Sequence, residues 1–203
     1  MTPSFDTRIL IAGNPNYGLA AAYRRRWPGA TFASRSAGGY DLTTFEAQTK
    51  LANESLNFDV FISCSCLHNF HQVILVKAVI ELWKERGHPG HLIAIGSTAD
   101  TPVKGESKLY PIEKKALRDY CRNLSFMALG GHGAKPPGFR VTYITPGYVS
   151  TPSMNRKFAH VDKLEPDYLA EVTEWVIQQP SSVNISQLSL DPIQISSDQA
   201  KPQ

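Results

Sequence analysis

The stretch RILIAGNPNYG, residues 8–18, decides the fold, because a short apolar run leads directly into a turn that carries two glycines. Residues 8–12 have the composition of a buried β-strand, and the segment after the turn predicts a helix to about residue 26. A strand, a tight turn and a helix in this order form the first half of a crossover unit, in which the next strand runs parallel to the first. The stretch therefore favours an α/β fold.

The rest of the chain repeats this alternation. Strands are predicted over residues 30–34, 59–63, 91–96, 139–145 and 183–190, and helices over residues 43–56, 70–86, 110–129 and 166–178. The helix over 43–56 opens with Thr43 and Glu46 at capping-box spacing. Apolar strands joined by long helices predict a Rossmann-type, doubly wound parallel sheet of about six to seven strands with helices on both faces. We expect one domain over residues 1–195 and a disordered tail over residues 196–203.

Composition limits the classes of partner. The chain has 203 residues, of which 42% are hydrophobic and 19% charged, with a net charge of +3. This charge is too small to indicate nucleic acid as the main partner, and residues 24–26 (RRR) fit the end of a surface helix. No apolar run is long enough to cross a membrane, and the N-terminus has no signal-peptide pattern. We expect a cytoplasmic protein that binds neither nucleic acid nor membrane.

The cysteines and histidines do not form a convincing metal motif. Cys64, Cys66, His68 and His71 are close in sequence, and thiolate and imidazole ligands at such spacing bind zinc in other proteins. Here they fall at a predicted strand end and helix start, where structural or pocket-lining roles account for them. The chain has three cysteines, Cys64, Cys66 and Cys121, which are too few for a disulfide framework in a chain of this length. We expect no metal and a reducing compartment.

The turn after the first strand is a candidate phosphate site. Glycine allows a ligand to approach the backbone, and a helix N-terminus offers unpaired N–H groups and the positive end of a dipole. Gly13, Gly18 and Ala20 stand at the three small positions, and Asn16 lies between the glycines. The spacing is irregular, so two interpretations stay open, a pyrophosphate loop and an ordinary strand-to-helix turn.

Three side chains converge on the same edge of the predicted sheet. Tyr110 and Lys114 are four residues apart on one helix face, and Ser97 follows the preceding strand. An ammonium beside a phenol is expected to lower the tyrosine pKa from about 10, which suits proton transfer near neutral pH. In an open parallel sheet, ligands bind beyond the carboxyl ends of the strands, where all three side chains and the glycine turn lie. A solvated helix face is the alternative for the tyrosine–lysine pair alone.

This spacing resembles the signature of the short-chain dehydrogenase/reductase family. Tyr110 follows Ser97 by thirteen positions and precedes Lys114 by four, and PGYVST at residues 146–151 is similar to the family's P-G-x-V-x-T motif after its sixth strand. Residues 166–192 are similar to the family's closing helix and strand, so the resemblance covers about residues 8–192.

The resemblance implies an oxidoreductase that transfers hydride between NADP(H) and a carbonyl or alcohol. It implies that Tyr110 exchanges a proton with the substrate oxygen and that Ser97 orients the carbonyl. Lys114 would bind the nicotinamide ribose, and Thr151 would contact the nicotinamide amide. Asn69 would support a proton relay. Other implied cofactor-binding residues are Asp41, Leu42, Pro146, Gly147 and Val149. A turn or helix-start role is an equal alternative for Asp41.

Several segments depart from the family pattern. The glycine loop is one residue longer, Ala12 replaces a threonine, and SCSC at residues 63–66 replaces the motif N-N-A-G. The segment before Asn69 is nearly absent, and the substrate lobe after Thr151 has only about a dozen residues. These changes describe a pared-down member, and a catalytically weak NAD(P)-binding sensor or regulatory protein on the same fold is the alternative function.

The second strand indicates the choice of cofactor. It is followed by Ser34, Arg35 and Ser36, with no carboxylate until Asp41. An acidic residue here would mark NAD by binding the ribose, whereas a guanidinium beside two hydroxyls suits a 2′-phosphate. We predict NADP(H) over NAD(H), with Arg35 as the main discriminator; a solvated arginine in a polar turn is the alternative.

The helices over residues 70–86 and 110–129 indicate self-association. Both are apolar over much of their length, and family members commonly pair this helix couple between subunits. We expect a homodimer or homotetramer through these helices. The apolar residues behind this expectation are Val73, Val76, Val79, Ile80, Leu117, Leu124 and Phe126.

Overall fold

The computed structural model describes residues 7–101, 107–130, 136 and 138–194; the predicted tail over residues 196–203 lies outside this range. Six strands form one parallel sheet in the order β2–β1–β3–β4–β5–β6, with helices on both faces. The prediction of a Rossmann-type doubly wound sheet is therefore confirmed. The strands are β1 (Ile9–Ala12), β2 (Thr31–Ala33), β3 (Val60–Ser63), β4 (His91–Ile95), β5 (Arg140–Pro146) and β6 (Gln187–Leu190). The helices are α1 (Gly18–Arg26), α2 (Phe45–Ser55), α3 (His71–Arg86), α4 (Leu109–Ala128), α5 (Pro152–Lys157) and α6 (Pro166–Ile177).

Alternate strand residues fill two separate layers of core. Leu10, Phe61 and Leu92 point to one face and pack with the buried sides of α2, α3 and α4. Ile11 and Ile62 point to the opposite face, toward α1 and α6. Because side chains of a strand alternate between faces, both faces of these apolar strands are buried, as a sheet covered by helices on each side requires.

Two predicted element ends differ from the observed ones. Thr44, not Thr43, caps α2 by accepting a hydrogen bond from the Ala47 N–H at 3.3 Å, because the Thr43 hydroxyl is held by Asp41 Oδ1 at 2.6 Å. Strand β6 starts at residue 187 rather than 183, because the side chain of Asn184 takes the Val141 N–H that a longer ladder would use.

The order of strands creates a cleft at one place on the carboxyl edge. The chain passes from β1 to β2 on one side and then returns to β3 on the other side of β1. The loops after β1 and β3 therefore lead away from each other. A place where neighbouring loops diverge in this way is a topological switch point, and open α/β sheets bind ligands there. Ala12 and Ser63, which are paired at this point, mark the floor of the cleft.

Candidate active site

Ser97 and Tyr110 meet at the carboxyl edge, beside the end of β4. Ser97 caps a short 3₁₀ turn, Thr98–Asp100, by accepting a hydrogen bond from the Ala99 N–H at 3.2 Å. Tyr110 lies in the first turn of α4, and both side chains are partly buried. Burial raises the pKa of the Tyr110 phenol, and a hydrogen bond with the Ser97 side chain partly offsets this rise. The two residues are thus brought together as their spacing predicts.

A buried network supports the turn that carries Ser97. The Tyr143 hydroxyl donates to Asp100 Oδ2 at 2.8 Å, and Arg118 Nη1 donates to the Asp100 carbonyl at 3.1 Å. Gly96 makes room for Tyr143, since a Cβ at Gly96 would lie 2.0 Å from the Tyr143 hydroxyl. Sequence reasoning missed Asp100, because nothing local in the sequence links it to a tyrosine on β5.

Lys114 lies below Tyr110 and is almost fully buried. Its side chain reaches the ends of two elements: Nζ donates to Gln72 Oε1 at 2.7 Å and to the Ile95 carbonyl at 3.2 Å. Nζ is 5.7 Å from the centre of the Tyr110 ring. Burial lowers the pKa of Lys114, and the negative charges of Cys66 and other nearby groups partly oppose this.

The expected effect of Lys114 on Tyr110 is wrong for this structure. Burial raises the pKa of Tyr110 above its usual value, and the charges of Cys66, Asp100 and Glu113 add to the rise. The ammonium is directed to an amide and a carbonyl oxygen instead of the phenol oxygen. The phenol therefore stays protonated near neutral pH, a state suited to donating a proton.

Two buried side chains beside Lys114 were missed from the sequence. Gln72, in the first turn of α3, is the residue that meets the ammonium, whereas Asn69 is exposed in the turn before the helix, with φ 56°. Glu113 is 5% exposed; its Oε1 accepts the Phe70 N–H at 3.3 Å, and its Oε2 lies 3.9 Å from Nδ1 of the exposed His68. The one feature of the local sequence that could have pointed to Glu113 is its position next to Lys114.

The glycine turn lies at the switch point. A Cβ at Gly13 would be 2.5 Å from the Cys64 sulfur, so this glycine makes room for the side chain that follows β3. Gly18 has φ +57° and begins α1, whose N-cap, Tyr17, makes no side-chain capping hydrogen bond. The Asn16 side chain accepts a hydrogen bond from Arg24 Nη1 at 2.7 Å. The uncapped helix N-terminus fits an anionic group such as a pyrophosphate.

The turn after β2 holds its charged residues in a pair. Arg35 Nη2 lies 2.9 Å from Asp41 Oδ1 and 3.0 Å from Oδ2, and the Arg35 side chain is 71% exposed. Hydrogen bonds from Thr43 and from Arg35 lower the pKa of Asp41 to about 2. Ser34 and Ser36 join their hydroxyls at 3.1 Å. Asp41 therefore acts as a turn residue that accepts a hydrogen bond from the Thr43 N–H. The neighbouring Leu42 is buried in the core.

The segment after β5 faces the glycine turn. Pro146 ends β5, and a Cβ at Gly147 would lie 2.2 Å from Asp191 Oδ1, which accounts for the glycine. Val149 forms an isolated parallel bridge with Leu164. Thr151 caps α5, a helix missed from the sequence although a threonine followed by a proline is a typical helix start.

This segment and the glycine turn touch. The Tyr17 hydroxyl accepts a hydrogen bond from the Ser153 N–H at 3.3 Å, and a Cβ at Gly18 would lie 3.5 Å from Thr151 Cγ2. The glycine turn and the start of α5 therefore lie against each other at the carboxyl edge of the sheet.

Among the described residues, neither a metal site nor a membrane-spanning helix is found. Within the described ranges no group of three histidine, cysteine, aspartate or glutamate side chains is arranged to hold a metal ion. Burial raises the pKa of Cys64 to about 12, so its thiol is protonated. No helix in the described part of the chain is long and apolar enough to cross a membrane.

Comparisons with known proteins agree with the fold and the motifs. The chain is 33% identical over 105 residues to an uncharacterized oxidoreductase of Staphylococcus saprophyticus, covering 51% of this chain and 42% of that protein. It is 32% identical over 133 residues to the NADP-dependent 3-hydroxy acid dehydrogenase of Escherichia coli, covering 60% of this chain and 51% of that protein. The chain thus spans about half the length of these two relatives. No family model matches it.

Solved structures show the same fold. The 3-alpha-hydroxysteroid dehydrogenase of Pseudomonas sp. B-0831, solved in complex with NADH, superposes with a TM-score of 0.72 at 17% identity, over 91% of this chain and 95% of that one. The chain is therefore similar in fold to solved proteins of the short-chain dehydrogenase/reductase family, and it is similar over part of its sequence to oxidoreductases. The resemblance to this family is confirmed for the fold, and the roles of Ser97, Tyr110 and Lys114 stay predictions.

Proposed function

We propose that the chain is an NADP(H)-dependent oxidoreductase that reduces a carbonyl substrate, or oxidises the matching alcohol, at the carboxyl edge of its sheet. The observation that carries the proposal is the meeting of Ser97, Tyr110 and Lys114 beside the switch-point cleft. The relatives that are oxidoreductases support the reaction class, and the E. coli relative, named as NADP-dependent, supports the cofactor.

The residues present fit a dinucleotide. The uncapped start of α1 at Gly18 suits the pyrophosphate, and Arg35 suits a 2′-phosphate once it leaves Asp41. An ammonium has three N–H donors, and Lys114 uses two of them on Gln72 and the Ile95 carbonyl, which leaves one for a ribose hydroxyl. A nicotinamide bound there supplies the hydride.

The chain's own residues supply orientation and a proton. Ser97 holds the phenol of Tyr110 by a hydrogen bond and, on the same side, can orient a substrate carbonyl. Tyr110, protonated because burial raises its pKa, donates its proton to the carbonyl oxygen as negative charge develops there. On the segment after β5, we propose that four residues contact the nicotinamide: Pro146, Gly147, Val149 and Thr151.

A catalytically weak nucleotide-binding sensor is the second candidate. One observation favours it: the Lys114 ammonium is directed to Gln72 and the Ile95 carbonyl, and the pKa of Tyr110 is raised by burial. The phenol is therefore not activated as a base, while the residues proposed to contact the nucleotide stay in place.

Calorimetry with NADPH and NADH, followed by a panel of carbonyls with NADPH and of 3-hydroxy acids with NADP⁺, separates these functions. The oxidoreductase proposal predicts tighter binding of NADPH and turnover of at least one substrate. Binding of NADPH with no turnover on the whole panel supports the sensor, and absence of binding to either nucleotide contradicts both functions.

We also propose that the protein is a homodimer or homotetramer through α3 and α4. Most of the apolar residues named for this pair, including Val76, Val79 and Leu117, are buried in the chain's own core, so they do not argue for a partner. The apolar surface that supports the proposal is what remains exposed: Ile74, Leu109, Ile112 and Phe126. A mass from light scattering that stays monomeric at all concentrations would contradict it.

A further inference from the structure

Gln72 joins three elements at the floor of the active site. Its side chain lies in the first turn of α3 and is 4% exposed. Nε2 donates to the Ser63 carbonyl at 3.1 Å, to Ser63 Oγ at 3.3 Å and to the Ile95 carbonyl at 3.1 Å. Oε1 accepts from Lys114 Nζ at 2.7 Å. One amide therefore connects the ends of β3 and β4 to the lysine on α4.

The surroundings fix the orientation of this amide. The NH₂ group faces two carbonyl oxygens, which only accept hydrogen bonds, and the oxygen faces an ammonium, which only donates. The reversed amide would place its oxygen against two carbonyls and its NH₂ against a cation. The two carbonyls and the ammonium thus favour one orientation of the amide, which gives Lys114 an oriented acceptor beside the Ile95 carbonyl.

We propose that Gln72 is a positioning residue that holds the Lys114 ammonium at the carboxyl ends of β3 and β4 and directs its remaining N–H into the cofactor cleft. The inference rests on the proposed function for what that N–H binds, a nicotinamide ribose hydroxyl. The hydrogen bonds of Gln72 stand independently of it. Within the described residues, Gln72 forms hydrogen bonds with Ser63, Ile95 and Lys114, so it acts on the Tyr110 end of the site through Lys114.

The pKa of Lys114 should depend on its hydrogen bond to Gln72 Oε1. A buried ammonium without an acceptor is costly, so loss of the Gln72 oxygen should lower the Lys114 pKa further, and a carboxylate in its place should raise it. Other titratable groups surround the ammonium and also affect its titration: Cys64, Cys66, Asp100, Tyr110 and Glu113.

Gln48 provides a matched control. It is a second buried glutamine, 2% exposed, whose Nε2 donates to the Leu42 carbonyl at 2.8 Å. It lies on α2, and its hydrogen bonds within the described residues go to Leu42 and His71 and not to Lys114. Replacing Gln48 therefore removes buried amide hydrogen bonds of the same kind without touching the lysine.

The test compares Gln72→Met, Gln72→Glu and Gln48→Met with the wild-type chain. Lysine Nζ signals are titrated by ¹⁵N NMR, with Lys114 assigned from Lys114→Arg, and NADPH affinity is measured by calorimetry. We expect the Lys114 titration midpoint to fall in Gln72→Met, to rise in Gln72→Glu and to stay at the wild-type value in Gln48→Met. On a substrate that is turned over, kcat should fall about ten- to a hundredfold in Gln72→Met, as loss of a hydrogen bond to a charged group implies.

The outcomes separate the inference from the proposed function. An unchanged Lys114 midpoint in both Gln72 variants, or an equal shift in Gln48→Met, overturns the positioning role. Shifted midpoints and weaker NADPH binding in a protein that reduces no carbonyl support the positioning role and contradict the proposed reaction. If Gln72→Met does not fold, the expected rise in Gln72→Glu decides the question alone.

Discussion

The two ends of the proposed cofactor cleft are built differently. At the end near Tyr110, the polar side chains are buried and joined to one another, as in the chain from Lys114 through Gln72 to the ends of β3 and β4. At the end near β2, the charged side chains are exposed, and Arg35 and Asp41 satisfy each other. Buried networks hold one geometry, whereas an exposed ion pair contributes little and exchanges easily. The first end is therefore formed in advance, and the second is expected to rearrange when a ligand binds.

Among the changes that compare the two ends, the largest effect is expected from crowding the first end, and it is a loss of stability. In Gly96→Ala the new Cβ would overlap Tyr143, a fully buried ring held by Asp100. Overpacking of this kind costs about 1–3 kcal/mol, which corresponds to about 2–12 °C in melting temperature for a domain of this size. Calorimetric melting of Gly96→Ala should show this loss.

Gly29→Ala is the control for this comparison. A Cβ at Gly29 meets nothing within 4 Å, so its melting temperature should stay close to that of the wild type. Equal melting temperatures for Gly96→Ala, Gly29→Ala and the wild type would show that the first end is not tightly packed.

A smaller effect is expected at the second end, with opposite signs for the two partners. Arg35→Ala should weaken NADPH binding about tenfold and leave NADH binding nearly unchanged, because it removes charge-assisted hydrogen bonds to the 2′-phosphate. Asp41→Asn should strengthen NADPH binding by up to about fivefold, since an exposed ion pair that competes for Arg35 is lost. Calorimetric dissociation constants for both nucleotides measure this.

Arg8→Ala is the matched control, since Arg8 forms a similar exposed pair with Asp59 away from the cleft. Equal wild-type affinity for NADPH and NADH would overturn the cofactor preference. Parallel losses in Arg35→Ala and Arg8→Ala would show that Arg35 has no specific role.

The smallest effect is expected from pH on the reduction rate. Tyr110 must carry a proton to donate one, and its pKa is raised above its usual value of about 10. The protonated state is thus complete below about pH 9, so the reduction rate assigned to this group should be level from pH 7 to 9. The rate of alcohol oxidation, which needs the phenolate, should rise with pH over the same range. A reduction rate that falls with a midpoint near pH 7 would indicate that Lys114 lowers the Tyr110 pKa after all.

The same contrast explains what the sequence could predict. The six strands follow from short apolar runs between amphipathic helices, and the meeting of Ser97 with Tyr110 follows from fixed spacing on elements that end at one edge. Gln72 could not be predicted, because its role depends on three elements that meet only in the folded chain. The pairing of Arg35 with Asp41 could not be predicted either, since it depends on a tight turn between β2 and α2.

The raised pKa of Tyr110 shows a further limit. The spacing of Tyr110 and Lys114 indicates that they share a helix face, but it contains no information on burial or on where the ammonium is directed. Helix α5 is absent from the prediction for a simpler reason. Thr151 followed by Pro152 is a recognisable helix start, but Thr151 is also the last residue of the PGYVST motif, which accounts for it without a helix.

The most direct test of the account is turnover by Tyr110→Phe on a carbonyl that the wild type reduces with NADPH, measured together with NADPH affinity. The substitution removes the hydroxyl that donates the proton and keeps the ring. We predict that kcat falls about a hundred- to ten-thousandfold, while the NADPH dissociation constant and the melting temperature stay near wild-type values. Equal turnover by the wild type and Tyr110→Phe would contradict the assignment of Tyr110 as the proton donor.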